Sequence, residues 1–214
     1  MKKIILVLFL FLSCYIIYIL TEKKEMSCLV IGDLIADNKY IKDNNIITEY
    51  NNTYTNENYR IKDIINIIKY NEELEDNNKK ISIHRLMKTT DILIISIGMN
   101  DIYSKLNNDT KNIYTYINNM VQDMELLLDK INKYNYKKVI VLGYYNINSN
   151  NTDIFTYLNY KMKKITNKYN YNYLELNNII KNNPNYLKKD NNFNLNDNGY
   201  KEISKIIVEN LKNN

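Results

Sequence analysis

Few residues in this 214-residue chain could act as a nucleophile or a general base. The single histidine, His84, lies in KKISIHRLMKTTD, a stretch that reads as a short helix over 81–89. A helical histidine in such a setting is expected to be surface or half-buried rather than catalytic. The two cysteines, Cys14 and Cys28, suit neither a disulfide framework nor a metal spacing. Ser27 and Cys28 begin an apolar segment, and Ser96 lies inside another, where core is expected. There is no Walker loop, no GxGxxG and no His/Cys cluster, so neither a cofactor nor a metal is expected. Tyr144 and Tyr145 follow an apolar run and could stack on a sugar or an acyl chain. In a chain with 21 tyrosines, composition alone can also place them there.

The elements that would position any site alternate between strand and helix. CLVIG (28–32), IITEY (46–50), DILIISIG (91–98), KKVIVLG (137–143) and YNYLEL (171–176) read as strands. RIKDIINIIKY (60–70) puts Ile61, Ile64, Ile65 and Ile68 on one helical face. Residues 109–134 read as a long amphipathic helix, 153–169 as another, and the chain after Asn198 as a closing helix. The polar stretch NEELEDNNKK (71–80) reads as a solvated connector. Strands separated by helices of ten or more residues imply parallel crossovers. The expectation is a three-layer α/β/α sandwich with a mostly parallel sheet of about five strands, flavodoxin-like in class. Ligand sites in such sheets form beyond the carboxyl ends of the strands. Of only four glycines, Gly32, Gly98 and Gly143 end apolar strands, and Gly199 opens the last helix.

The composition is rich in Asn, Ile, Lys and Tyr, all encoded by AT-rich codons, which points to a low-GC bacterial genome rather than to prion-like tracts. Net charge is +5; Lys2 and Lys3 supply two of the five, which leaves +3 for residues 21–214. The lysines are mixed with acids and form no basic block, so no nucleic-acid partner is expected. The first twenty residues, MKKIILVLFLFLSCYIIYIL, read as an N-terminal hydrophobic helix at the short limit of a membrane span. No small-x-small site follows, so an uncleaved signal anchor is expected, or a secreted domain if the segment is removed. Phe11 and the apolar run beyond Cys14 disfavour a lipid-attachment box. The positive flank favours N-in, C-out topology, with the membrane as one partner. Residues 1–25 are then anchor and short linker, and 26–214 a single domain.

Three blocks in order resemble the SGNH, or GDSL-type, hydrolase family: VIGDLIA, IISIGMND (94–101) and NNFNLNDNGYKEIS (191–204). The resemblance covers nearly all of 27–213. It implies acyl-ester chemistry, in which a serine attacks a carbonyl, a histidine takes its proton and an aspartate orients the histidine. It also implies an oxyanion site made from backbone amides and the third-block asparagine. Gly32, Asp33, Gly98, Asn100 and Asp101 match the motif. The serine position is Leu34, the aspartate position Asn191 and the histidine position Asn194. The second-block glycine falls on Asn58, so the implied oxyanion positions are Asn58 and Asn100.

Leu34 has no lone pair, and an asparagine amide takes up no proton near neutral pH. The expected function is an extracytoplasmic SGNH-like domain that has lost ester hydrolysis. It would bind a cell-envelope glycan, lipid or protein in the vestigial cleft. The rival readings are an active ester or O-acyl hydrolase with a non-standard apparatus and a purely structural docking module.

Overall fold

In the computed structural model the described residues are 26–33, 47–76, 79–147, 149–189 and 193–212. The expected anchor at 1–25, and the triad positions Leu34 and Asn191, lie outside them. Among the described residues no helix is long and apolar enough to cross a membrane.

Five strands form one sheet: β1 (Met26–Gly32), β2 (Ile47–Thr55), β5 (Ile92–Ser96), β6 (Lys138–Leu142) and β7 (Asn172–Leu174). Their order is β2-β1-β5-β6-β7, and every neighbouring pair is parallel. The central strands are short unbroken apolar runs. All five residues of β5 are buried, as a parallel strand covered on both faces requires. The expected fold class therefore holds.

The helices are α1 (Ile61–Tyr70), α2 (Ile83–Thr89), α3 (Met99–Asn108), α4 (Ile113–Ile131), α5 (Thr152–Lys168), α6 (Asn177–Asn182) and α7 (Asp197–Lys212). α1, α4 and α5 pack side by side as one layer. α7 closes the chain. It buries Ile203, Ile207 and Val208 and ends beside the starts of β6 and β7, where Lys138 Nζ and Asn172 Nδ2 both donate to Asn210.

Several expectations need correction. The connector at 71–80 is not all loop: β3 (Glu73–Asp76) and β4 (Lys79–Ser82) form a hairpin whose register sets Glu75 opposite Lys80 and Asp76 opposite Lys79. α2 consequently starts at Ile83, not 81. It is N-capped by Ser82, whose Oγ accepts the Arg85 N–H. On α1 the buried residues are Ile61, Ile64, Ile67 and Ile68, with Ile65 half-buried, because α4 flanks the helix and turns its stripe toward Ile67. The long helix begins at Ile113, after Asn112 in the left-handed region breaks it from α3.

The chain order reverses between β1 and β5, which makes the carboxyl ends of these two strands the switch point of the sheet. Gly32 pairs with Ser96 there. At φ +140°, a Cβ on Gly32 would sit 1.6 Å from the Ser96 carbonyl oxygen. Only a residue without a side chain lets the two strands end this close together. Gly32→Ala is expected to destabilise the chain by about 3 kcal/mol or more, from strain and steric displacement together. Urea denaturation of both proteins checks this, and a loss under ~1 kcal/mol would contradict the stated packing.

Candidate functional site

The switch point is built around one carboxylate. Asp33 leaves β1 by donating its N–H to the Ser96 carbonyl at 2.6 Å, and its side chain is 2% exposed. Its Oδ2 accepts the Gly98 N–H at 3.0 Å and the Asn100 N–H at 3.2 Å. These are orphan donors at the start of α3. The N-cap there is Gly98, at φ +107°, which has no side chain to satisfy them. Asp33 supplies from β1 the cap that α3 cannot supply itself, and its charge meets the positive end of the helix. Its Oδ1 is buried and has no partner among the described residues. Burial pushes its pKa up to about 7, against the lowering effect of the Asn100 and Gly98 hydrogen bonds.

Asp101 performs a similar task for α1. Its Oδ2 accepts the Ile61 N–H at 3.2 Å, and burial raises its pKa to about 6 although Ile61 and Arg60 favour its charge. Arg60 in turn donates to Ser104 Oγ at 3.1 Å on α3.

The two positions that the resemblance marks for oxyanion binding are both engaged. The Asn100 side-chain amide donates to the Glu57 carbonyl and, at 3.3 Å, to the Tyr59 carbonyl. An amide nitrogen has two protons, so none is left over. The Asn58 N–H donates to Asn56 Oδ1 at 2.9 Å in an Asx turn, and the Asn58 side chain is exposed. The turn is fastened to β1, since Asn56 N–H donates to the Gly32 carbonyl at 3.0 Å. The first, second and third blocks therefore meet at the switch point, where several of their polar groups bond one another.

The last block joins them through tyrosines. Tyr103 on α3 stacks on Phe193 with ring centroids 5.2 Å apart and donates its hydroxyl to the Tyr145 carbonyl at 3.1 Å. Tyr145 donates its own hydroxyl to the Phe193 carbonyl. Asn194 is buried; its carbonyl accepts the Lys188 N–H at 3.0 Å, and its side chain has no hydrogen-bond partner among the described residues. Asn196 caps α7, accepting from the Asn198 and Gly199 N–H groups at 3.1 and 3.2 Å.

Tyr144 and Tyr145, read from the sequence as ligand contacts, are 1% and 0% exposed. They are core, and their rings offer no face to a ligand. Tyr144 donates to the Ile97 carbonyl at 2.9 Å and packs beneath Gly98, where a Cβ would lie 2.7 Å from its hydroxyl. Asn159 brackets the Tyr144 backbone with bonds of 2.9 and 2.8 Å. His84 is half-buried on α2 with Nε2 against the Ile68 carbonyl, and Ser96 is buried, as expected. Sequence reasoning missed Tyr103 and the capping role of Asp33. It could have found Asn196, because Asn two residues before the Asn-Gly pair at a helix start is an N-cap signal.

No family model matches the chain, and no curated protein matches it. Solved structures do. The chain is similar to the lipase Lip_vut3 from a goat rumen metagenome, at TM-score 0.67 and 13% identity, over 86% of this chain and 96% of that one. It is similar to the acetyl xylan esterase AlAXEase, at TM-score 0.63 and 16% identity, over 86% and 99%. It is also similar to a GDSL-like lipase from Parabacteroides merdae, at TM-score 0.60 and 14% identity, over 87% and 95%. The fold is that of the SGNH/GDSL-type lipases and esterases, and the domain is hydrolase-like in architecture.

Two predictions follow from Asp33 and Asn100. Asp33 and Asp101 have folded pKa values raised from the ordinary 3.8 to about 7 and about 6. Between about pH 4 and 7 the folded chain then holds protons that the unfolded chain has released, so stability falls as pH rises through that window. For Asp33 alone the change is roughly 2–4 kcal/mol. Asp33→Asn keeps one oxygen acceptor and removes the charge, so it is expected to lose most of this slope. Denaturation curves at pH 5 and pH 8 read it directly, and an unchanged slope would mean that Asp33 ionises normally. Asn100→Ala should cost about 1–3 kcal/mol by releasing the 56–60 turn. Faster amide exchange at Tyr59 and Ile61 is the expected signature.

Proposed function

We propose that the chain is an SGNH-type domain without ester-hydrolysing activity, held at the outer face of a membrane by its N-terminal segment. In this reading the vestigial cleft around Gly32, Asp33, Leu34, Asn100 and Asn194 holds an acylated glycan or lipid of the cell envelope. The observation that supports the loss of activity most directly is the Asn100 amide, which spends both protons on the Glu57 and Tyr59 carbonyls. A tetrahedral oxyanion needs a preorganised, unoccupied donor. Here that donor would have to break its bonds to the turn before it could serve.

The sequence argues in the same direction. Leu34, Asn191 and Asn194 stand where the resemblance places serine, aspartate and histidine. Triad members act as a unit, and the residual of about 10³–10⁴ over water comes from the oxyanion site and binding. With that site engaged, even the residual has no source. The ligand class rests on analogy: the similar structures include a lipase and an acetyl xylan esterase, named for acylated lipids and glycans.

The test is hydrolysis of short-chain p-nitrophenyl esters by the full chain, wild type beside Leu34→Ser/Asn191→Asp/Asn194→His. The wild type is expected at the buffer rate. The triple variant should gain no more than about tenfold, since restoring the triad leaves Asn100 engaged. Wild-type turnover that Asn100→Ala abolishes would overturn the inactive reading. The ligand half fails if the full chain binds neither acetylated wall fragments nor lipid vesicles.

A further inference from the structure

A separate recess opens at the carboxyl end of β6, in the loop and helix layer beyond the vestigial cleft. It is a cavity of about 170 Å³. Ile147, Ile180, Pro184 and Leu187 give it apolar walls, and Asn177 and Lys181 add polar groups. The cavity stands on rigid neighbours. Ile147 is held by its N–H donating to Tyr103 Oη at 3.0 Å. Leu187 is bridged to Leu195, one residue beyond Asn194.

Asn146 and Thr152 also belong to the polar lining, beside Asn177 and Lys181. Asn177 and Lys181 lie four residues apart on α6 and so share a helix face. Asn177 Oδ1 accepts the Asn146 N–H at 3.0 Å, which orients the amide and leaves its Nδ2 protons without a partner among the described residues. Lys181 is exposed and has no ion pair among the described residues. An amide donor and an ammonium together suit an anion; a neutral head group would use only the first. Among the described residues no carboxylate lines the cavity to oppose it. The volume encloses a short aliphatic tail, with the head beside the exposed Lys181.

We propose that this cavity binds a short-chain aliphatic carboxylate of about four to six carbons, with its tail among the apolar walls and its head on Asn177 and Lys181. The inference does not depend on the state of the cleft. A free acid of this kind needs no catalytic residue to be held.

The test is a titration of the purified full chain with hexanoate, beside hexanamide and acetate, followed by saturation-transfer NMR and thermal shift. Hexanoate is expected to bind saturably in the millimolar range, the scale for a ligand of this size. Hexanamide lacks the charge and acetate lacks the tail, so both should bind more weakly. Lys181→Met keeps the exposed stem, so folding should be untouched, and it should weaken hexanoate about fivefold while leaving hexanamide unchanged. Lys181→Arg should restore binding. Absence of saturable hexanoate binding would overturn the proposal, as would equal binding of hexanoate and hexanamide that Lys181→Met leaves unaltered. Because no ester is hydrolysed in this assay, its failure would leave the reading of the cleft standing.

Discussion

The Asp33 carboxylate on the amino end of α3 is the interaction on which the arrangement of the switch point depends. It joins the first strand to the helix that follows the third strand of the sheet, across the crevice where chain order reverses. Gly98 must be a glycine, both for its positive φ and because Tyr144 and Met120 fill the space a side chain would need. A glycine cannot cap a helix with its own side chain. The cap therefore comes from outside, and a carboxylate answers both the unpaired N–H groups and the helix dipole. Burial of that carboxylate has a cost, visible in its raised pKa and in the unpartnered Oδ1. The fold accepts that cost because the alternative is an uncapped helix end beside the core.

Around that anchor the remaining motif residues act as fasteners. Asn100 holds the 56–60 turn, Asp101 caps α1, and Asn56 binds the turn back to Gly32. Each replaces a hydrogen bond to water with one to backbone, for a net gain of only about 1 kcal/mol. Their larger effect is on uniqueness, since leaving any of these buried groups unpaired costs more than pairing it gains. A set of motif residues can therefore persist for reasons of packing alone. The retained Gly-x-Asn-Asp pattern carries information about the fold, and the chemistry has to be argued from what the side chains touch.

How much of this could be read from the sequence follows the same division. The five strands, the parallel sheet and most of the helices are written in apolar runs and periodicity; β2 runs on to Thr55, five residues past the reading, and α3 and α6 were not read. The strand pair Glu73–Asp76 and Lys79–Ser82 was missed because its residues are mostly polar and show no apolar alternation. Helix α3 was not read, and the long helix was started at 109 instead of 113, because its start turns on one asparagine, Asn112, in the left-handed region. At the site, matching residue types located Asp33, Asn100 and Asp101 but could not tell an available donor from an engaged one. That distinction lies in long-range pairings, 40 or more residues apart. Tyr144 and Tyr145 were misread for a related reason. A position just past a strand end is exposed only if nothing packs above it, and here Tyr103, Phe193 and Asn159 do.

The engaged state of Asn100 is also what physical reasoning expects from the proposed loss of the nucleophile. In an active site the asparagine amide has to stay unpaired in the ground state, and this costs stability that only transition-state binding justifies. On the proposed reading no oxyanion forms with leucine at the serine position, and nothing maintains that unpaired donor. Two carbonyls of the adjacent turn lie within reach, and bonding them lowers the free energy of the resting protein. On that reading the loss at the nucleophile and the closure of the donor are successive consequences of one change. This fold uses the amide to tighten the crevice.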